Sequence, residues 1–160
     1  MDSHVMISED AFFEAYAFFK VFKGIHDKYF SGSISITQQI EMCAFSIPYV
    51  VNGAFACEVV LKQFIATDKV RGCQHDLNKM YGLIDDEYRD RIKARFMRGG
   101  LSEEELNEAL SQSTSLFVDW RYFYEPEKEE LIIPKNLYKM VEAICLAAFT
   151  YSEVVNEIDD

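Results

Sequence analysis

Apolar side chains recur every three or four residues along most of the chain, which is the spacing of one face of an α-helix. The first such pattern covers about residues 10–30 and a second covers about residues 37–66. Because Pro48 interrupts the second pattern, the sequence predicts either a kinked helix, or a new helix capped by Ser46 with Pro48 in its first turn. The first pattern is aromatic and comprises Phe12, Tyr16, Phe19, Phe22 and Tyr29.

Shorter helical patterns follow a loop over residues 67–74. One short helix is predicted over residues 75–83. The next, over about residues 84–98, has acidic residues near its start and arginines near its end, which suits the helix dipole. Gly99 and Gly100 then end it.

Two more helices are predicted in the last third of the chain. Ser102 and Glu105 have the spacing of a capping box, which predicts a helix that begins there and runs to about residue 124. Pro134 opens the last helix. Its apolar face comprises Leu137, Met140, Val141, Ile144, Ala148, Tyr151 and Val155.

Strand patterns are scarce, and no repeat or composition shift divides the 160 residues. The predicted fold is therefore all-α: one domain over residues 1–160, with a core over about residues 9–157. It is a helical bundle of four to five main helices plus one short helix. A hydrophobic fraction of 49% is enough to give such a bundle a real core.

The formal net charge of −11 opposes non-specific binding to DNA or RNA, which depends on neutralising phosphates with Lys and Arg. A local basic site is still compatible with it. Arg91, Arg95 and Arg98 share one helical face at steps of four and three, so they form a candidate phosphate-binding face. The alternative is an ordinary solvated helix end.

The four cysteines, at positions 43, 57, 73 and 145, form no C-x-x-C pair, which favours reduced thiols in a cytoplasmic protein. Cys73, His75 and Asp76 are close in sequence, but a fourth ligand at suitable spacing is missing, so no metal or cofactor is predicted. No uninterrupted apolar run of membrane-spanning length and no secretory signal is found, so no membrane association is expected.

Two polar positions stand out near the second helix. Glu58 lies in the apolar stretch GAFACEVVLKQFI, where a carboxylate is costly unless it is paired. Lys62, four residues later, can form an intrahelical pair with it, or Glu58 can anchor a polar network that reaches another helix. His75 and Asp76 are candidates to cap the short helix that follows.

The third position is Arg121, in the stretch DWRYFYEP. Aromatic neighbours such as Tyr122 can stack on a guanidinium, and Glu58 or Glu125 can pair with it. Arg121 is therefore either a salt-bridged arginine that closes a helix or a phosphate-binding arginine in a groove. No glycine-rich phosphate loop and no hydrolase or zinc-protease motif is found.

The ordered stretches NGAFACEVVLKQFI, QHDLNKMYGLI and DWRYFYE together resemble the HEPN family. The resemblance covers about residues 52–125 and places Glu58 and Lys62 in a family helix, His75 and Asp76 in a His-Asp-Leu element, and Arg121 in an Arg-Tyr element. It implies a helical bundle that forms a homodimer across a cleft. Many members of the family are RNases, toxins or antiphage effectors, and some pair with a nucleotidyltransferase.

The family's RNase site is an arginine followed closely by a histidine at the position of Arg121. No histidine follows Arg121 in this chain, and Arg71 with His75 is too closely spaced and lies at the wrong element. The resemblance is therefore to the Arg-Tyr branch that lacks the nuclease pair. It implies a non-catalytic binding or assembly module for a nucleotide, nucleic acid or protein partner, in a toxin–antitoxin or phage-defence setting.

Two alternatives stay open. One is a metal-independent RNase toxin with a rearranged site, in which Arg121 holds phosphate and Tyr122, Tyr124 or Glu125 handles protons. The other is an acidic helical interaction domain without a small-molecule site, in which these polar residues are only structural.

Overall fold

The computed structural model of the chain describes residues 7–122 and 132–149, and its regular structure in these ranges is entirely α-helical. The predicted all-α class is thereby confirmed. The helices are α1 (Glu9–Tyr29), α2 (Ile36–Gln63), α3 (Thr67–Val70), α4 (Leu77–Leu83), α5 (Asp86–Met97), α6 (Glu103–Ser111), α7 (Leu116–Arg121) and α8 (Leu137–Phe149).

Helix α2 is the centre of the bundle, because α1, α4, α7 and α8 all pack against it. Its second half supplies buried residues from Tyr49 to Leu61, whereas residues 36–47 include none that is buried. By length and composition α2 could also cross a membrane, but half of its most apolar stretch is buried in the bundle, as in the core helix of a folded domain.

The structure decides between the two predictions for Pro48, since α2 continues through this residue as one helix. Ser46 does not cap a new start, because its Oγ donates to the carbonyl of Met42 at 2.8 Å. The cap of α2 is Ser35, which forms a capping box with Gln38.

The aromatic face predicted for α1 is confirmed: Phe12, Phe19, Phe22 and Tyr29 are buried and Tyr16 is partly buried. The ring of Phe22 stacks on Tyr49 of α2 with 4.6 Å between centroids. Gly53 permits this contact, because a Cβ there would lie 2.7 Å from the Phe22 ring.

The single helix predicted from Ser102 to about residue 124 is wrong, although its start and capping box are confirmed. The chain leaves the helix at residues 112–115 and starts α7 at Leu116. Ser113 and Thr114 hydrogen-bond with their hydroxyls to carbonyls three or four residues earlier, and Ser115 bonds to Asp119. Such local side-chain bonds compete with a continuous helix.

Three smaller predictions also need correction. The predicted loop over residues 67–74 contains the short helix α3. The helix predicted over residues 75–83 begins at Leu77, because Asp76 caps it and His75 lies before the cap. The last helix begins at Leu137, after Pro134. Its predicted apolar face is buried as far as Ala148, while Tyr151 and Val155 lie outside the described residues.

Candidate functional site

Glu58 is a buried carboxylate that holds two basic side chains at once. Lys62 Nζ donates to Glu58 Oε1 at 2.5 Å, and His75 Nδ1 lies 2.8 Å from Glu58 Oε2. The side chain of Glu58 is 4% exposed, whereas those of Lys62 and His75 are 32% and 44% exposed. Glu58 therefore forms the intrahelical pair predicted from sequence and also reaches beyond its own helix.

The turn before α4 presents His75 to Glu58. Gln74 has a φ of 51°, in the left-handed region that a residue with a side chain rarely adopts. Immediately after His75, the Asp76 side chain accepts a hydrogen bond from the backbone N–H of Lys79 at 2.9 Å and caps α4. The Cys73 side chain, two residues before His75, is buried. His75 is thus fixed between a strained residue and a helix cap.

The ring of Phe117 connects His75 to Arg121. The ring centroids of His75 and Phe117 are 5.0 Å apart, and the Arg121 guanidinium carbon lies 5.5 Å from the Phe117 centroid. Arg121 also lies 5.5 Å from the Tyr122 ring. The three polar positions predicted from sequence therefore belong to one site, in which an aromatic ring separates Arg121 from the Glu58–His75 pair.

Of the two partners that the sequence allows for Arg121, Glu58 pairs with Lys62 and His75 instead. Arg121 is exposed and stacks on aromatic rings, as the sequence also predicted. Glu125 and Tyr124, proposed as its partner and as a proton carrier, lie outside the described residues.

The bond to Glu58 determines what the His75 imidazole can do. A carboxylate only accepts hydrogen bonds, so Nδ1 carries the hydrogen in the neutral ring and Nε2 keeps a free lone pair. The protonated ring would donate from both nitrogens. Next to the exposed guanidinium of Arg121, the imidazole can therefore accept or donate a proton, or bind an anion.

A groove borders the site on the side of Lys62. It has a volume of about 440 Å³, and Lys62 and Arg71 provide its two cationic side chains. Within residues 7–122 and 132–149, no hydrogen bond, ion pair or ring contact joins Arg71 to His75.

The candidate phosphate-binding face on α5 is a separate surface. Arg91, Arg95 and Arg98 line a shallow cavity of about 240 Å³ together with Ala94, so the shared face predicted for them is confirmed. Burial, with a smaller contribution from Arg98, lowers the pKa of Arg95 below its usual value. Arg91 forms an ion pair with Glu87 at 2.8 Å, which reduces the positive charge of the face.

Metal ligands are not grouped in the part of the chain that the structure describes: no three His, Cys, Asp or Glu side chains there could hold one ion. The Cys73 side chain is buried, and its Sγ lies 3.5 Å from the carbonyl of Lys69. The site is therefore built from hydrogen bonds and ring contacts.

Comparison with known proteins adds no relative. The chain matches no protein-family model, no curated protein and no solved structure. The HEPN resemblance thus stays a prediction from the three ordered stretches of sequence.

Sequence reasoning missed Phe117, the ring that brings His75 and Arg121 together. The signal was present, because Phe117 lies four residues before Arg121 and such residues are neighbours on one face of a helix. What the sequence could not show is the contact between Phe117 and His75, which depends on the packing of α7 against α2.

Proposed function

We propose that the chain is a binding module for a phosphate-bearing ligand of the nucleotide class, and that the ligand binds where His75 and Arg121 adjoin Phe117. The observation that carries the proposal is the Glu58–His75 pair beside an exposed, ring-stacked arginine. The Arg121 guanidinium donates at any pH near neutral and His75 Nε2 donates when the ring is protonated, and two such donors suit a ligand that carries a phosphate.

The charges of the site favour an anion. Glu58 and the Asp76 cap supply two negative charges, whereas Lys62 and Arg121 supply two positive charges and His75 a third when it is protonated. Arg71 extends the positive charge along the adjoining groove. The rest of the molecule is acidic, with a formal net charge of −11, which disfavours a long nucleic acid and favours a small ligand.

Isothermal titration tests this function directly. We expect AMP, ATP or a short single-stranded RNA to release heat, and Arg121→Ala and His75→Ala to weaken the binding by about tenfold or more, since each removes a charge-assisted hydrogen bond. Arg98→Ala, on the α5 face, is the matched control and should change little. If none of the three ligands gives heat, the nucleotide proposal fails and a protein partner becomes the leading candidate.

One observation favours a second candidate function, metal-independent cleavage of RNA. The sequence offered no histidine after Arg121, but the fold places the imidazole of His75 against the same Phe117 ring. In such a reaction His75 Nε2 would take the proton of the 2′-hydroxyl as its oxygen bonds to phosphorus and the P–O5′ bond breaks. The protonated Nε2 would then give that proton to the leaving 5′-oxygen, while Arg121 holds the phosphate. Tyr122, one of the residues that the sequence offers as a proton carrier in a rearranged RNase site, lies beside Arg121.

RNA cleavage is tested separately from binding. RNA incubated with the protein and EDTA should be cut by the wild type and by Arg98→Ala, but not by His75→Ala or Arg121→Ala. Intact RNA in the wild-type reaction would remove this candidate and leave the binding function unaffected.

A further inference from the structure

The first half of α2 carries an apolar stripe that the described part of the chain leaves uncovered. Its four residues are spaced by four, three and four, so they lie on one side of the helix. Ile36 and Ile40 are 78% and 71% exposed, Cys43 is exposed, and Ile47 is partly buried. We call these four residues the α2 stripe.

The apolar face that carries the α2 stripe continues along α2 into the core of the bundle. The same spacing leads from Ile47 to four buried residues farther along α2, which face the other helices of the bundle: Val50, Ala54, Cys57 and Leu61. One face of α2 is therefore apolar along its whole length, but only its second half is covered by α4, α7 and α8. Apolar residues repeated at this spacing are typical of a helix that pairs with another helix.

The charge distribution favours a second copy of the chain as the partner. Residues 36–47 contain one charged side chain, Glu41, and its Oε2 accepts a hydrogen bond from the Tyr29 hydroxyl at 2.9 Å. Two chains of net charge −11 repel each other over most surfaces. The α2 stripe is a surface on which two copies can meet with little like-charge repulsion, and interface cores are typically poor in charged residues.

We propose that two copies of the chain form a dimer by pairing their α2 stripes in antiparallel orientation. A two-fold axis between Ile40 and Cys43 places Ile36 opposite Ile47 of the partner subunit, and Ile40 opposite Cys43 of the partner subunit. Every facing pair is then apolar, and the large Ile40 meets the small Cys43. Antiparallel pairing also puts the buried second halves of the two α2 helices at opposite ends of the contact.

This dimer leaves the ligand site open. Ile40 and Glu58 are 18 residues apart on α2, or about 27 Å along the helix axis at 1.5 Å per residue. The contact therefore differs from a dimer formed across the polar site. A contact of one helix pair lies at the small end of specific interfaces, at about 1,200 Å² or less, so we expect a dimer that dissociates on dilution.

Sedimentation velocity over a range of concentrations tests the dimer. The wild type should shift from monomer to dimer as concentration rises, and Ile40→Glu should stay monomeric. The matched control is Ile132→Glu, which places the same charge on a side chain that is 77% exposed outside the stripe. Unchanged thermal unfolding of Ile40→Glu would show that the variant is folded. A wild type that is monomeric throughout, or a dimer that Ile40→Glu leaves intact, overturns the proposal.

Cross-linking tests the orientation. Cys43 is the exposed cysteine of the described residues, while Cys57, Cys73 and Cys145 are buried. Ile40→Cys should therefore give a disulfide-linked dimer under mild copper–phenanthroline oxidation, since position 40 faces Cys43 of the partner subunit. In the wild type the two Cys43 residues are offset by about 4.5 Å along the axis and should link far less. Efficient linking of the wild type would indicate parallel pairing and overturn the antiparallel arrangement.

Discussion

Removing the Glu58 carboxylate tests the central feature of the polar site. In Glu58→Ala, Lys62 and His75 lose their shared acceptor, and α2 loses one buried methylene group. A hydrogen bond to a charged group contributes about 1.5–3 kcal/mol when it is well shielded. Because both partners are partly exposed, we expect about 1 kcal/mol for each bond.

The lost methylene group adds about 0.8 kcal/mol, so the free energy of unfolding should fall by roughly 3 kcal/mol in total. For a chain of this size that corresponds to a decrease in Tm of roughly 6–12 °C. Glu58→Met keeps most of the buried volume and removes the cost of burying a charge, so it should lose only about 1 kcal/mol.

Urea denaturation followed by tryptophan fluorescence is a suitable assay, since Trp120 is the single tryptophan and is buried in α7. Lys23→Ala, which breaks the exposed Lys23–Asp27 pair, is a matched control and should change stability by less than about 0.5 kcal/mol. In a double-mutant cycle, Glu58→Ala and His75→Ala should be coupled by about 0.5–1 kcal/mol. A cost of Glu58→Ala below about 1 kcal/mol, or additive effects in the cycle, would show that Glu58 does not anchor the site.

Three further predictions concern other parts of the fold. Gly53→Ala should destabilise the protein by about 1–3 kcal/mol in urea denaturation, because the added methyl group would overlap a core ring; an unchanged midpoint would contradict this. Gln74→Gly should raise stability by about 0.5–1 kcal/mol, because it relieves the positive φ, and a loss would show that the turn needs the glutamine side chain. Burial lowers the pKa of His26 below 6.5, because the charged ring is disfavoured in the folded state. The folded state therefore loses stability as the pH drops from about 6.5 towards the folded-state pKa of His26, and it loses none from this residue above about pH 6.5. Between about pH 7.5 and pH 5 the wild type should therefore lose more stability than His26→Gln, and equal losses would refute the assignment.

The helices that sequence predicted well are those whose ends and faces are encoded locally. The α1 aromatic face and the Ser102 capping box depend on residues a few positions apart, so spacing alone reveals them. The break between α6 and α7 was missed because serine and threonine are compatible with a helix, and only their hydroxyl bonds show that they end one here.

The polar site was predictable in its parts but not in its arrangement. A carboxylate in an apolar helix and a lysine four residues later indicate an ion pair from sequence alone, and Glu58 and Lys62 form it. The second partner of Glu58 is His75, and identifying it requires knowing how the turn before α4 approaches α2, which residue spacing does not reveal.

Because α2 is buried only in its second half, its two halves should differ in the rate at which their amide hydrogens exchange with solvent. Residues 36–47 include no buried residue, so in the monomer their amide hydrogens should exchange with solvent mainly through local fraying. From Tyr49 to Leu61 the same unwinding would expose the centre of the bundle, and exchange should require unfolding of the whole domain. Pro48, which has no amide hydrogen, lies at the boundary between the fast-exchanging and slow-exchanging halves of α2.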